Sequence, residues 1–396
     1  MNLYSCLTVL VIIAMVNGGD DTKYRELLTA GNNNFTAKMF SEVAKTKQDR
    51  SFVLSAFSVL TPLAQLSLAS DGDSHDELLK AIGLPDDEST KSVFSYMNSK
   101  LRTVKGVDLK MANKIYVAKN YDLNDNYAAI SRETFESEVK NVDFTHNEET
   151  AKEINAWVED QTNHRIKNLV DPQTLTSDTR AVLVNAIYFK GMWKNPFNKM
   201  FTSDSNFHVS RENTIKVPTM YRKGNYNYGE IADLNAKILA IPYEGDESAF
   251  YIILPNNIDG ITELEEKLKD PSILDNALKS LYEVEVEAYI PKFKIETSTN
   301  LKEILPKIGV KKIFSPEHAK LNKLLKEAGN LYVSEAIQKA FIEINEEGAE
   351  AAAANEFGIS YLAAFIPQTI RFVADHPFVF VLKTGQNIIF NGIFYS

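Results

Sequence analysis

Cysteine is almost missing from this chain: Cys6 is the only one in 396 residues, and it lies in the leading segment. Once that segment is removed no disulfide can form, so the fold must be held by packing alone. The same segment, Met1 to Gly18, contains no Asp, Glu, Lys or Arg. Its apolar run Leu7–Val16 covers only about 10 residues, too few for a hydrocarbon core that needs about 20. A signal peptide cut after Gly18 is therefore expected, with a single domain over 19–396 and a secreted, extracellular product.

Positive charge is in deficit. Lys and Arg number 43 against 53 Asp and Glu, giving a net charge of −10, and loss of residues 1–18 leaves it unchanged. This excludes a general nucleic-acid or anionic-membrane binder. Two local basic clusters remain, Lys100, Arg102, Lys105 and Lys110, then Lys311, Lys312, Lys320, Lys323 and Lys326. Each is expected to be a solvated helix face, which leaves glycosaminoglycan binding without support.

Catalytic signatures are also lacking. Six histidines are scattered without HExxH spacing, and there is no cysteine cluster, GxSxG elbow or GxxxxGK[ST] loop. No metal, cofactor or enzymatic activity is expected. The 13 Pro and 17 Gly are dispersed, so no linker divides the chain, and a monomer with one large core is expected.

What is present reads as alternating strands and helices without strict βαβ repetition, an α+β architecture. The nearly continuous apolar run Ala181–Phe189 predicts a strand covered on both faces. Val284, Val286, Ala288 and Ile290 alternate with Glu283, Glu285, Glu287 and Tyr289, predicting a strand with one wet face. The C-terminus predicts two strands, Pro377–Lys383 and Asn387–Tyr395, around a turn at Thr384-Gly385. Asp270-Pro271 and Ser315-Pro316 both look like helix starts, the second helix leaving at Gly329.

The informative stretch runs from Asn345 to Ala364. Alanine favours helix, and a short exposed helix is the bland explanation. With period two, however, Ala349, Ala351, Ala353, Asn355, Phe357 and Ile359 share one face, and Glu350, Ala352, Ala354, Glu356, Gly358 and Ser360 share the other. Both glutamates fall on the second face. A segment able to sit in solvent and also to become a buried strand needs this composition, because charge on the inward face would block burial.

Glu346-Glu347-Gly348-Ala349-Glu350-Ala351-Ala352-Ala353-Ala354 resembles the hinge of an inhibitory serpin. The resemblance extends through Leu54–Val59, Ile154–Glu159, Ile166–Leu169, Leu183–Trp193, Ile290–Ile295 and Phe372–Phe378, and the texture is similar to insect haemolymph and antitrypsin-like serpins. It implies three β-sheets with eight or nine helices and an exposed reactive-centre loop over about 346–370. It also implies a suicide-substrate mechanism, in which a serine protease cuts the loop, is trapped as an acyl-enzyme, and is carried off as the loop inserts into the largest sheet.

In the family the hinge glycine precedes the bait residue by about fourteen positions, which carries over from Gly348 to the bond Leu362-Ala363, with Tyr361 the neighbouring alternative. No Lys or Arg lies between Lys339 and Arg371, so a trypsin-like enzyme has nothing to grip and a chymotrypsin- or elastase-like one is favoured. Ser55, Ser58, Asn185 and Gln338 match the family's shutter, a polar cluster beneath the sheet; Gln338 replaces the usual histidine, and Ala56 stands where proline is common. Trp193, Lys292 and Glu346 match the breach, where the loop first enters, and an ion pair between Lys292 and Glu346 is expected there. Asn34-Phe35-Thr36 is a glycosylation sequon at an expected helix start. The competing function is a non-inhibitory serpin acting as carrier, chaperone or storage protein, whose hinge would carry bulky, charged or proline residues inward.

Overall fold

The computed structural model describes residues 3–347 and 369–396, with side chains from residue 21 onward. Gly348, Ala349, Glu350, Ala351, Ala352, Ala353, Ala354, Tyr361, Leu362 and Ala363 lie outside the described residues.

The strands are β1 Phe52–Leu54, β2 Val107–Ala118, β3 Glu138–Val142, β4 Ala181–Gly191, β5 Ser203–His208, β6 Thr214–Ile231, β7 Ala236–Pro242, β8 Ser248–Pro255, β9 Tyr282–Pro291, β10 Phe293–Asn300, β11 Val333–Ile344, β12 Ile370–Val373, β13 Phe378–Thr384 and β14 Asn387–Phe394. They form a five-stranded sheet in the order β10-β11-β4-β2-β3 and a nine-stranded one in the order β1-β14-β13-β8-β7-β6-β9-β12, with β5 on β6. The long β6 divides the latter. Its end, Asn227–Ile231, pairs with β7, whereas its earlier part carries β5, β9 and, beyond β9, β12 as a third strand set. Nine α-helices are present among the described residues.

The run Ala181–Phe189 is buried throughout, and the reason is the two layers around it. One face, with Leu183, Ile187 and Phe189, packs into the main core. The other, with Val182, Val184, Ala186 and Tyr188, is covered by Ala151, Ile154 and Val158 of the helix Asn147–Gln161. Beneath the sheet runs the helix Ala56–Ala69, buried along its entire length. The expected wet face of β9 is present, with Val286, Ala288 and Ile290 buried and Glu283 and Glu285 exposed. The two C-terminal strands, β13 and β14, pair antiparallel.

The helix Leu3–Thr46 passes through the expected leader junction at Gly18. Leu28, Phe35, Met39, Phe40 and Val43 of this helix lie in the core. Gly31 sits where a Cβ would come within 2.3 Å of the Ile82 carbonyl oxygen, so only glycine allows this helix to approach the helix Gly72–Ile82 so closely. No helix among the described residues is long and apolar enough to cross a membrane.

Three expectations fail. The Asp270-Pro271 helix forms, as Pro271–Lys279, but no α-helix follows Ser315-Pro316. The turn there closes on the Ser315 carbonyl, which accepts from the His318 amide at 3.2 Å and the Ala319 amide at 3.0 Å, and Lys320 then adopts a φ of 44°. Ala319, Leu321, Leu324 and Leu325 are all buried, so the segment follows the core surface instead of presenting one helical stripe. Nor are the basic clusters solvated helix faces. Lys100 pairs with Asp21, Arg102 with Glu136, Lys110 with Asp108, Lys312 with Asp73, Lys323 with Asp71 and Lys326 with Asp125, ion pairs spread over helices, a strand and loops. Finally, Asn34 lies well inside the helix Leu3–Thr46, not at its start; its side chain is exposed, while the Thr36 hydroxyl is buried and donates to Asn32 Oδ1 at 3.0 Å.

Candidate functional site

The centre of the five-stranded sheet is its one join between two long parallel neighbours. β11 runs parallel to β4 from Val333↔Ala181 to Ile342↔Phe189, with antiparallel β10 and β2 outside them. Parallel ladders are slightly weaker per residue, and strands so joined must come from distant parts of the chain. The chain leaves the end of β11 at Ile344 and returns at β12, so residues 345–369 start beside this join.

Under the join lies a polar cluster whose origin is local. Ser55 caps the helix Ala56–Ala69, its side chain accepting from the Ser58 amide at 3.2 Å. Pro62, inside the helix, has no N–H, so the Ser58 carbonyl four residues earlier loses its intrahelical donor. Asn185 on β4 supplies the substitute, donating through Nδ2 to Ser58 O at 3.0 Å. Gln338 on β11, opposite Asn185 in register, donates through Nε2 to Asn185 Oδ1 and to Ser55 O, both at 2.7 Å, and accepts from the Ser55 amide at 3.3 Å. All four side chains are fully buried. The four residues expected as a shutter are thus one bonded unit that ties β4, β11 and the helix together. The sequence reading missed a fifth member: Asn113 on β2 accepts from Asn185 Nδ2 through its Oδ1. Its strand also carries Asp108, Lys110 and Lys114, so one more polar residue there gave no signal.

At the upper end of the same join the residues expected as the breach also meet. Trp193 is buried and stacked on Tyr243 with ring centroids 4.3 Å apart. Its Nε1 donates to the Asn345 carbonyl at 2.7 Å, and the Phe197 amide donates to the Glu346 carbonyl at 2.9 Å. Glu346 is only 3% exposed. Its carboxylate accepts from Lys292 Nζ at 2.9 Å and from Thr202 Oγ1 at 2.8 Å. Burial alone would raise its pKa, but the hydrogen bonds from Lys292, its own backbone amide and Thr202 outweigh burial and hold it below the ordinary 4.5. Glu347 pairs with Lys199. Thr202, Phe197 and Lys199 could not be assigned from the sequence, because they come from a connecting segment whose local pattern carries no sign of contact with residues 345–347.

Across the outer face, Lys339 of β11 donates to the Lys167 carbonyl at 2.6 Å and pairs with Glu296 at 2.8 Å. The connection from the helix Asn147–Gln161 to β4 is thereby strapped over the join. Fold and site together define an α+β protein whose locked parallel strand pair ends shortly before an alanine-rich stretch of sequence begins.

Comparison with known proteins gives that class its name. A family model described as Serpin (serine protease inhibitor) matches residues 30–396. Antichymotrypsin-2 of Bombyx mori is 55% identical over 94% of this chain and 99% of its own, and antitrypsin of Bombyx mori is 53% identical over 100% of both. The crystal structure of Serpin48 from Tenebrio molitor has a TM-score of 0.86 at 37% identity, covering 94% of this chain and 98% of its own. The chain belongs to the serpin family, and so stands among protease inhibitors, not enzymes.

Proposed function

We propose that this serpin is a secreted suicide inhibitor of chymotrypsin- or elastase-like serine proteases, with Leu362-Ala363 as the bait bond and Tyr361 as the neighbouring alternative. The observation that carries the reading is the parallel join between β4 and β11. A segment that leaves the C-terminal end of β11 and folds back between the two strands runs antiparallel to both. One parallel interface would then be exchanged for two antiparallel ones, a gain in ladder bonds and burial. Residues 349–360 have the composition such a strand needs, with no charged side chain on the face of Ala349, Ala351, Ala353, Asn355, Phe357 and Ile359.

Before cleavage the join is held by Gln338 and Asn185, by Lys339 above, and by Glu346 and Trp193 at its open end. The chemistry belongs to the protease. Its serine oxygen gives its proton to the protease's base and attacks the Leu362 carbonyl, the C–N bond to Ala363 breaks, and the new Ala363 amine takes that proton, while the segment after the cut stays held by the pairing of β12, β13 and β14. Insertion of 349–360 then competes with hydrolysis of the ester.

The names of the two Bombyx mori relatives point to different enzymes, so names do not choose the target. The absence of Lys and Arg between Lys339 and Arg371 supports a hydrophobic specificity pocket. Incubation with chymotrypsin, elastase and trypsin in turn, read on an SDS gel, tests the proposal. A covalent complex is expected with the first two, together with a released peptide beginning at Ala363. Efficient trapping of trypsin, or a cut elsewhere by mass spectrometry, would overturn the assignment.

A further inference from the structure

We infer that an aromatic row on the β6-β9-β12 face, led by the exposed Met200 and Phe201, is a second docking surface for the body of the protease, separate from the bait bond; the inference rests on the inhibitory reading above. Single exposed apolar side chains are ordinary on protein surfaces. Here two exposed neighbours lead into the half-buried rings of Tyr221 and Tyr289. Met200 is 83% exposed and Phe201 53%. Phe201 sits edge-on to Tyr221 at 6.2 Å, Tyr221 faces its cross-strand partner Tyr289 at 4.9 Å, and the Arg371 guanidinium lies over Tyr289 at 5.2 Å. Methionine, aromatic residues and arginine are the types enriched in the centres of protein interfaces.

Position identifies the occupant. Lys199, adjacent to Met200, pairs with Glu347, the last described residue before 348. Arg371 lies on β12, just beyond Thr369, where the description resumes. The row therefore runs between the two ends of residues 348–368, and an enzyme gripping that segment is brought against it. The surface is also held in place. Asn198 caps the turn Lys199–Phe201, its Oδ1 accepting from the Met200 amide at 2.9 Å, and Thr202 is fixed by Glu346. The neighbouring charges are already partnered, Arg371 with Glu287 at 3.7 Å and Lys223 with Glu285 at 3.0 Å. The matching patch on the protease is accordingly apolar or aromatic, not a charged loop.

The test uses the intact serpin and chymotrypsin whose nucleophilic serine is replaced by alanine, so that only non-covalent docking is read. Wild type, the double variant Met200→Ser/Phe201→Ser and the bait variant Leu362→Asp are compared by surface plasmon resonance. The double variant should bind at least about tenfold more weakly, the size expected when interface hot spots are truncated, with an unchanged melting temperature and unchanged moles of serpin consumed per mole of active chymotrypsin. Equal affinity of the double variant and wild type, with Leu362→Asp still blocking, would discard the second surface and leave the bait reading intact. Failure of the wild type to bind at all would remove the inhibitory reading and this surface with it.

Discussion

At the scale of the residue, the arguments turn on charge and burial. Ala351→Arg or Ala349→Arg should convert the inhibitor into a substrate, because both positions fall on the uncharged face of the 349–360 pattern. Insertion would then bury an unpaired charge, at an effective cost of several kcal/mol. The penalty need only slow insertion below deacylation, and about 1.4 kcal/mol is already a tenfold change in rate. Glu350→Arg, on the other face, is the control. Moles of serpin consumed per mole of chymotrypsin inhibited should rise several-fold for Ala351→Arg and little for Glu350→Arg; equal values would refute the facing.

Lys292→Met addresses the buried carboxylate of Glu346. Losing a charged hydrogen-bond partner should cost about 1–3 kcal/mol of stability at neutral pH, read by thermal unfolding. The pKa of Glu346 in the fold lies below 4.5, so its stabilising contribution is complete above 4.5 and disappears as pH falls through the folded value. The gap between wild type and Lys292→Met should accordingly be widest near neutrality and close in acid. A gap that persists unchanged at low pH would assign the loss to packing of the lysine stem.

At the scale of the element, the join between β4 and β11 depends on a helix beneath it. Pro62 exposes the Ser58 carbonyl, Asn185 answers it, and Gln338 bonds to Asn185 from the facing strand. A single missing N–H in the helix Ala56–Ala69 is therefore felt in the centre of the sheet. Gln338→Ala removes the donor to Asn185 Oδ1 and Ser55 O while leaving both buried, which should lower stability by about 1–3 kcal/mol in chemical unfolding. No change would mean that the network confers no net stability. Because glutamine does not titrate, the cluster should also lack the pH-dependent opening that a histidine at this position could provide.

At the scale of the whole molecule, the prediction is that the chain becomes more stable after it is cut. Inserting 349–360 would add roughly a dozen ladder bonds at about 0.5–1.5 kcal/mol each. A total of about 10 kcal/mol corresponds, in a protein this large, to a rise in melting temperature of at least about 10 °C. Intact protein and protein cleaved at Leu362-Ala363 should be compared by calorimetry. Coincident midpoints would show that no insertion occurs, and the inhibitory reading would fail.

The sequence by itself determined whatever depends on near neighbours. Periodicity exposed the buried strand Ala181–Phe189 and the half-wet strand around Val286, because burial imposes apolar residues at a period of one or two. The uncharged face of 349–360 and the lack of Lys or Arg between Lys339 and Arg371 were legible directly from the residues. Resemblance supplied the identities of Ser55, Ser58, Asn185, Gln338, Trp193, Lys292 and Glu346, but of their bonds only the ion pair between Lys292 and Glu346.

Only the tertiary structure decided that Gln338 stands opposite Asn185 in a parallel pair, since the strands are separated by 153 residues and strand pairing leaves no local mark. The same distance hid Asn113, Thr202 and Phe197. The Ser315-Pro316 signal failed for a related reason. It describes what the first turn favours locally, whereas the path of Ala319 to Leu325 follows the core surface, where burial of Leu321 and Leu324 outweighs helix propensity.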